Sequence, residues 1–225
     1  VDNSIRNPKL FTEVNVLGTQ NLLDLHREFN MNRFHYISTD EVYGDIPTSG
    51  YFTEETHIEP SSPYSASKAG GDILVQAYGR TYGTNYTITR CSNNYGANQN
   101  LISLIPLFIS KIRNNEKVPL YGDGSNIRDW LYVEDHCDAI WEVFSSAKNS
   151  SIYNVGGNNE YTNLEITKIL LETMGKGEDL ISFVPDRPGH DKRYAIDASK
   201  IKNELGWIPK VKFEEGIKRT IEYYL

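Results

Sequence analysis

The chain has 225 residues, of which 39% are hydrophobic and 24% are charged, a composition typical of a globular protein with one or two domains. Its net charge of −7 argues against a nucleic-acid partner, because affinity for a phosphate backbone comes from basic surfaces. No run approaches the roughly 18 apolar residues of a membrane span and no secretory signal peptide opens the chain, so we expect no membrane partner and a cytoplasmic location.

The first predicted elements are a helix and a strand. Apolar side chains recur at helical spacing over residues 10–29, and Asn30 is the predicted stop. Residues 34–37 form a predicted buried strand, and polar residues follow its carboxyl end, where α/β sheets bind ligands. These predicted site residues are Ser38, Thr39, Asp40 and Glu41.

A second predicted helix, over about residues 64–82, carries a tyrosine and a lysine on one face. Tyr64 and Lys68 are four positions apart, so their side chains lie on the same side. A free tyrosine, with a pKa of about 10, is a poor base at neutral pH, but a neighbouring ammonium stabilises the phenolate. The pair therefore predicts a general base, although the same spacing is common on solvated helices. Residues 45–62, rich in Pro, Ser, Thr and Gly, are predicted to form a loop over this site.

The remainder of the chain predicts a less regular α/β alternation. A β-branched strand over residues 86–91 precedes Asn93 and Asn94. Further helices are predicted near residues 103–114, 133–147, 162–174 and 213–224, and short strands near 118–121 and 152–155. Arg128 and Arg187 are candidates for anion binding because guanidinium groups match phosphate oxygens, the alternative being two surface ion pairs.

Cysteine and histidine usage does not indicate a metal. Cys91 and Cys137 are far apart and lack a CxxC spacing or a nearby histidine pattern, so no metal site is expected. Both cysteines are predicted to be buried free thiols. His26 and His57 are predicted to lie at the surface.

Four runs of this sequence together resemble the dTDP-glucose 4,6-dehydratase family, a branch of the extended short-chain dehydrogenases/reductases. They are residues 38–44, 90–96, 127–136 and 186–191. A strand that ends in Ser-Thr, followed after a loop by the helix with Tyr64 and Lys68, resembles the wider superfamily. Within that superfamily, the presence of two added acids, Asp40 and Glu41, makes the chain similar to the dehydratases. The resemblance spans essentially the whole chain.

The resemblance implies an α/β fold with a Rossmann-like parallel sheet. Residues 1–95 would be the remainder of the NAD-binding domain with the catalytic residues. Residues 96–225 would be mainly the sugar-nucleotide-binding part, with some segments returning to the Rossmann sheet. The implied activity is dehydration of a nucleotide-linked glucose to the 4-keto-6-deoxy sugar, with NAD recycled in each turnover. A homodimer is implied through the helices at 10–29 and 64–82.

The same resemblance implies a role for each site residue. Tyr64, assisted by Lys68 and Thr39, takes the C4 hydroxyl proton, while Glu41 removes the C5 proton and Asp40 protonates the departing C6 hydroxyl. The implied cofactor-binding residues are Ser38, Tyr64, Lys68 and Asn94. The implied substrate-binding residues are Asn93, Tyr121, Arg128, Asn163, Arg187 and His190, with the two arginines on the diphosphate.

The chain departs from the family pattern in two respects. A Rossmann domain opens with a glycine-rich turn that binds the pyrophosphate of NAD, and this sequence contains no such turn. We therefore expect that the amino-terminal part is absent and that these residues alone bind NAD poorly and are inactive. In the loop after Tyr95-Gly96, Ser103 occupies the place of a family lysine, which removes a positive charge.

Several alternatives stay open at this stage. A sugar-nucleotide 4-epimerase would use Tyr64 and Lys68 without needing the acids. GDP-mannose dehydratases and UDP-glucuronate decarboxylases usually have Thr-Ser-Glu where this chain has Thr39-Asp40-Glu41, so Asp40 favours the hexose 4,6-dehydratase. A UDP-glucose 4,6-dehydratase would differ only in its nucleotide. A non-catalytic sugar-nucleotide-binding protein would need neither the two acids nor Tyr64 and Lys68.

Overall fold

The structure, a computed structural model, describes residues 1–46 and 49–225. The strands are β1 (Phe34–Thr39), β2 (Tyr86–Cys91), β3 (Asn93–Tyr95), β4 (Val118–Tyr121), β5 (Ile127–Tyr132), β6 (Ser151–Val155), β7 (Glu160–Thr162) and β8 (Ile181–Val184). The α-helices are α1 (Asp2–Arg6), α2 (Pro8–Thr12), α3 (Gly18–Glu28), α4 (Pro63–Tyr82), α5 (Leu104–Arg113), α6 (Val133–Ser146), α7 (Asn163–Thr173), α8 (Ser199–Leu205) and α9 (Phe213–Tyr224). A π-helical segment spans Glu13–Leu17, and 3₁₀ turns span Asp40–Tyr43 and Glu178–Leu180.

A parallel sheet in the order β1-β2-β6 positions the candidate site. Phe34 pairs with Tyr86 and Thr39 pairs with Cys91, so β1 and β2 end at the same level. All residues of β2 are buried, as expected for an inner strand of a parallel sheet. The 3₁₀ turn after β1 and the short β3 after β2 therefore start at one edge of the sheet.

Helix α4 begins and ends where its sequence directs. The Ser62 Oγ accepts a hydrogen bond from the Ser65 amide, and the Ser65 Oγ accepts one from the Ser62 amide, which forms a reciprocal capping box. Pro63 occupies the first helical position, where no N–H is needed. Gly83, with φ of 69°, ends the helix in the left-handed conformation. Because α4 packs against β1, its first turns lie near the acids that follow that strand.

The predicted helix over residues 10–29 is a helical stretch that contains a π-helical segment. The stop at Asn30 is confirmed, since this residue has φ of 49°, a conformation that asparagine tolerates. Several apolar side chains of the stretch face outward, between 44% and 65% exposed: Leu10, Val14, Leu17, Leu22, Leu25 and Phe29. An apolar row of this kind indicates an interaction surface.

A second core lies beyond β3. It is built from the strands β3, β5 and β7, the pair β4 and β8, and the helices α5, α7 and α9. Ile105, Ile109, Leu170 and Ile217 are buried in it. The predicted helices and strands of this region are present, and β6 pairs with β2 in the first sheet. The division of the chain into two domains, residues 1–95 and 96–225, stays a prediction.

Some features differ from the sequence-based expectations. Strand β5 was not predicted because Arg128 and Asp129 are charged yet buried, which hides its hydrophobic pattern. His26 is buried rather than at the surface, because its ring packs edge-on against Phe34. Cys137 is exposed, not buried. In the described part of the chain, no helix is long and apolar enough to cross a bilayer.

Candidate active site

A cavity of about 770 Å³ lies where β1, β2 and β3 end. Every residue that the sequence predicted for a site lines this cavity: Ser38, Thr39, Asp40, Glu41, Tyr64, Lys68, Asn93, Asn94, Tyr121, Arg128, Asn163, Arg187 and His190. Residues from both halves of the chain therefore face a common space. The volume lies within the range of small-molecule sites.

Thr39 organises the two acids at the end of β1. Its Oγ1 accepts a hydrogen bond from the Glu41 amide at 3.3 Å, which caps the 3₁₀ turn, and donates to Asp40 Oδ1 at 3.3 Å. One oxygen of each acid, Asp40 Oδ2 and Glu41 Oε2, is buried and lacks a hydrogen-bond partner among the described residues. Such oxygens are available to a ligand.

The environment of the two acids favours different protonation states. Burial raises the pKa of Asp40 well above its ordinary value, and the carboxylates of Glu41 and Asp129 raise it further, while the charge of Arg128 opposes this rise. Burial also raises the pKa of Glu41, but the amino group of Val1 and the guanidinium groups of Arg128 and Arg187 oppose that rise. Asp40 is thus the acid that holds its proton more strongly.

Tyr64 and Lys68 face the cavity from the first turns of α4. The Tyr64 amide donates to Ser4 Oγ at 3.1 Å, and its ring packs edge-on against Phe11. The Lys68 ammonium donates to the Ile37 carbonyl and lies 4.5 Å from the Tyr36 ring centroid.

The pKa of Tyr64 differs from the expectation that Lys68 lowers it. Burial raises the pKa of this phenol, and the carboxylates of Glu41 and Asp40 raise it further. Burial lowers the pKa of Lys68. The reason is that the ammonium donates to the Ile37 carbonyl of β1, while burial and the charges of the two acids disfavour the phenolate. Tyr64 is therefore a neutral phenol in this structure.

The Arg128 side chain is fixed inside the second part of the chain. It is buried, its Nη2 donates to the Asp191 carbonyl at 2.9 Å, and its guanidinium lies 4.2 Å from the Tyr194 ring centroid. Arg187 is less constrained: its Nη1 pairs with Asp2 Oδ1 at 3.2 Å, and its buried Nε has no partner within residues 1–46 and 49–225. Guanidinium N–H groups of this kind can bind an anion.

Tyr121, His190 and Asn163 complete this half of the cavity. The rings of Tyr121 and His190 meet edge-on with centroids 6.2 Å apart, and His190 Nδ1 pairs with Asp186 Oδ1 at 2.6 Å. Burial lowers the pKa of His190. Asn163 is buried at the start of α7.

Two polar groups near the end of β1 and in β3 fit a polar cofactor. Ser38 Oγ and Asn94 Oδ1 are buried, and neither makes a hydrogen bond with any residue that the structure describes. The side-chain Nδ2 of Asn94 donates to the Ser92 carbonyl at 3.1 Å, which fixes the orientation of the Asn94 side chain. Because buried polar atoms are rarely left without partners, these atoms indicate contact with a bound group.

The structure also adds cavity residues that the sequence reasoning did not assign. Asp2 accepts hydrogen bonds from Arg187 and from the Tyr121 hydroxyl, and nothing in its sequence context indicates this. His136 also lines the cavity and lies within residues 127–136, one of the four runs that resemble the family, but no role was predicted for it. Ser103 also lines the cavity.

The predicted loop lies elsewhere. Its described residues, 45–46 and 49–62, are not among those that line the cavity, and residues 47–48 lie outside the described part of the chain. No group of three or more His, Cys, Asp or Glu side chains that could hold a metal ion occurs in the portion described.

The chain is similar in sequence to known proteins of one family. The profile of the family described as GDP-mannose 4,6 dehydratase matches residues 1–220. A dTDP-glucose 4,6-dehydratase of Streptomyces niveus is 46% identical over 224 residues, which cover 100% of this chain and 66% of that protein. The chain belongs to the dTDP-glucose 4,6-dehydratase family. It spans about two thirds of the length of that relative.

Solved structures place the chain among the same proteins. The dTDP-glucose 4,6-dehydratase DesIV of Streptomyces venezuelae, solved with NAD bound, is 47% identical with a TM-score of 0.98. The match covers 100% of this chain and 69% of DesIV. A UDP-glucose 4-epimerase of Thermus thermophilus, also solved with NAD, is 32% identical with a TM-score of 0.93 over 98% of this chain and 73% of the epimerase. The Rossmann fold is thus common to dehydratases and epimerases, so the side chains must distinguish them.

Proposed function

We propose that the chain contains the catalytic centre of an NAD-dependent dTDP-glucose 4,6-dehydratase. The observation that carries the proposal is that the buried Asp40 and the partly buried Glu41, which have unlike neighbours, share a cavity with Tyr64 and Lys68. A 4-epimerase oxidises and reduces the same carbon and has no use for the acids. The dehydratase relatives support the same assignment.

In this account the two halves of the cavity hold different parts of the reactants. Arg128 and Arg187 bind the diphosphate, with Asn93, Asn163 and His190 beside it, and Tyr121 lines the base and ribose pocket. Ser38 and Asn94 hold the cofactor on the opposite side, together with Tyr64 and Lys68. The proposed division assigns residues 1–95 to the cofactor and residues 96–225 mainly to the nucleotide sugar.

The first step removes the C4 hydroxyl proton of the glucose unit. Thr39 and Tyr64 bind this hydroxyl, and Tyr64 accepts its proton. Because Tyr64 is a neutral phenol in the structure, it can accept this proton only after losing its own to solvent, and we assign the stabilisation of the resulting phenolate to the Lys68 ammonium. When bound, NAD would supply the hydride acceptor for C4 and the hydride donor for C6.

The second step eliminates water. The C4 ketone acidifies the C5 hydrogen, and the Glu41 carboxylate takes this proton. Asp40, which holds its own proton strongly, gives it to the departing C6 hydroxyl, which leaves as water. Glu41 then returns its proton to C5 as hydride arrives at C6. The product is the 4-keto-6-deoxy sugar.

The function is tested with the chain joined to the segment of the Streptomyces niveus relative that it does not match, here called the completed protein. With dTDP-glucose, the expected product is dTDP-4-keto-6-deoxyglucose plus water. A 4-epimer as the sole product would transfer the chain to the epimerases. Binding without conversion would make it a binding protein.

We further propose that the protein is a cytoplasmic homodimer. The exposed apolar row on residues 10–29, together with the exposed Ile73 of α4, supports contact with a second copy through these two helices. The two thiols, Cys91 and the exposed Cys137, are free in the described structure, and free thiols persist in reducing compartments.

A further inference from the structure

A buried ion pair links α4 to the centre of the sheet. Arg90 on β2 donates from Nε to Asp72 Oδ2 at 2.9 Å and from Nη2 to Asp72 Oδ1 at 3.0 Å. Both side chains are almost fully buried, at 2% and 0% exposure. A bidentate pair of this type is rigid as well as strong. Asp72 lies one turn beyond Lys68, so the pair fixes the part of α4 that carries the tyrosine and lysine.

The same arginine also reaches the turn that carries the acids. Arg90 Nη1 donates to the Tyr43 hydroxyl at 2.9 Å, and that hydroxyl donates to Asn154 Oδ1 at 2.8 Å. Tyr43 is the last residue of the 3₁₀ turn, two positions after Glu41, and its ring stacks on Phe52. Asn154 in turn donates to the Phe52 carbonyl at 3.0 Å. The network therefore joins α4, β2, the acid turn and β6.

The energetics of this network point beyond stability. Replacing a buried ion pair by apolar side chains of similar volume is often neutral or stabilising, because the desolvation of two charges offsets their attraction. What such a pair does supply is a fixed geometry. None of Arg90, Asp72, Tyr43 and Asn154 is among the residues that line the cavity, so they would act on the reaction through their neighbours.

We infer that Arg90 and Tyr43 are positioning residues, which hold Asp40 and Glu41 at a fixed distance from Tyr64 and Lys68. This inference rests on the proposed function, because it assigns the two pairs to successive steps on one sugar. C4, C5 and C6 are consecutive atoms, so both pairs must stay in register with the same bound ring. Misplacement by about 1 Å can cost a step roughly 100-fold.

The variant Tyr43→Phe tests the link with a small change. It removes one hydroxyl, keeps the ring on Phe52 and leaves the Arg90–Asp72 pair intact. The matched control is Tyr153→Phe, because Tyr153 is equally buried and its hydroxyl donates to Glu204 Oε2 at 2.7 Å, away from the acid turn. Substitution of Arg90 is avoided because it would leave Asp72 charged and unpaired.

The first measurement is hydrogen–deuterium exchange of the 225-residue chain, which needs no activity. Tyr43→Phe is expected to speed amide exchange over residues 40–44 by at least about 10-fold relative to the control, since the hydroxyl carries hydrogen bonds to two elements. Equal exchange in both variants would overturn the inference, whatever the fate of the proposed function.

The second measurement is single-turnover kinetics of the completed protein. Tyr43→Phe is expected to slow loss of the C6 hydroxyl by about 10- to 100-fold while C4 oxidation stays near the wild-type rate, so reduced cofactor accumulates. Reduced cofactor should not accumulate in the control variant Tyr153→Phe. Equal slowing of both steps would indicate a merely structural role and overturn the inference. If the wild-type completed protein forms no product, the proposed function fails. The hydrogen–deuterium exchange result alone then decides whether Tyr43 holds the acid turn in place.

Discussion

Asp40 and Glu41 are adjacent in sequence and differ in their charged neighbours. The carboxylates of Glu41 and Asp129 raise the pKa of Asp40 beyond the effect of burial and Arg128 opposes them, whereas the Val1 amino group, Arg128 and Arg187 all oppose the effect of burial on the pKa of Glu41. The proposed division between a proton donor and a proton acceptor rests on these different surroundings of two similar groups. General acid and base in a single elimination require this division.

Arg187 provides a test of the substrate site. Its Nε is buried and unpartnered within the described structure, and the side chain faces the cavity. Arg187→Gln removes a charged donor from the diphosphate, so the Kd of the completed protein for dTDP is expected to rise roughly 10- to 100-fold, as for hydrogen bonds to charged groups. Titration calorimetry measures this. The control is Arg113→Gln, at an exposed position, which should leave the Kd unchanged. An unchanged Kd for Arg187→Gln would contradict the placement of Arg187 in the substrate site.

The apolar row on residues 10–29 provides a test of the dimer. Val14 is 60% exposed, so Val14→Glu costs the monomer little but places a charge in the proposed contact. Sedimentation velocity of the completed protein is expected to show a dimer for the wild type and a monomer for this variant. Trp141→Glu, at a 67% exposed position on α6, should remain a dimer. A wild-type monomer at micromolar concentration would contradict the proposed contact.

The buried His136 and the partly buried His35 predict a loss of stability in mild acid. Burial lowers the pKa of both His35 and His136 to about 4. Since the unfolded chain binds these protons near pH 6.5, their contribution to stability is complete above pH 6.5 and is lost as the pH falls towards 4. Each histidine should account for about 2 kcal/mol of the free energy of unfolding between pH 7.5 and 4.5.

Urea unfolding at these two pH values isolates the effect of His136. The variant His136→Gln should lose less stability on acidification than the wild type, because glutamine does not titrate. The buried carboxyl groups are present in both proteins and cancel in the comparison. His57→Gln, at an exposed position, should behave like the wild type. An equal acid loss in His136→Gln and wild type would refute this assignment.

The residues predicted for a site all line one cavity, whereas the strands that carry them were predicted less completely. Thr39, Asp40 and Glu41 could be located because a short apolar strand precedes them and parallel strands bind ligands at their carboxyl ends. Strand β5 could not be predicted, since its buried Arg128 and Asp129 are satisfied by partners distant in sequence. Periodicity cannot reveal those partners.

Electrostatic behaviour was also beyond the sequence. The spacing of Tyr64 and Lys68 predicted a lowered phenol pKa, but burial and the nearby acids raise it. The link between Asp72 and Arg90 joins residues from a helix and a strand, and their spacing carries no signal. Both effects depend on tertiary packing.

We propose that one cavity performs oxidation and elimination with different residues. In the completed protein, Glu41→Gln should still allow hydride transfer from C4, so reduced cofactor accumulates, while elimination slows by at least the ~100-fold typical of general acid–base groups. Tyr64→Phe should suppress the first hydride transfer, so that no reduced cofactor forms.

The most direct measurement combines absorbance of bound NADH with exchange of the C5 hydrogen in deuterated water during reaction with dTDP-glucose. For Glu41→Gln the account predicts NADH without C5 exchange, and for Tyr64→Phe it predicts neither signal. Formation of the 4-keto-6-deoxy product by Glu41→Gln at the wild-type rate, with normal C5 exchange, would contradict the account.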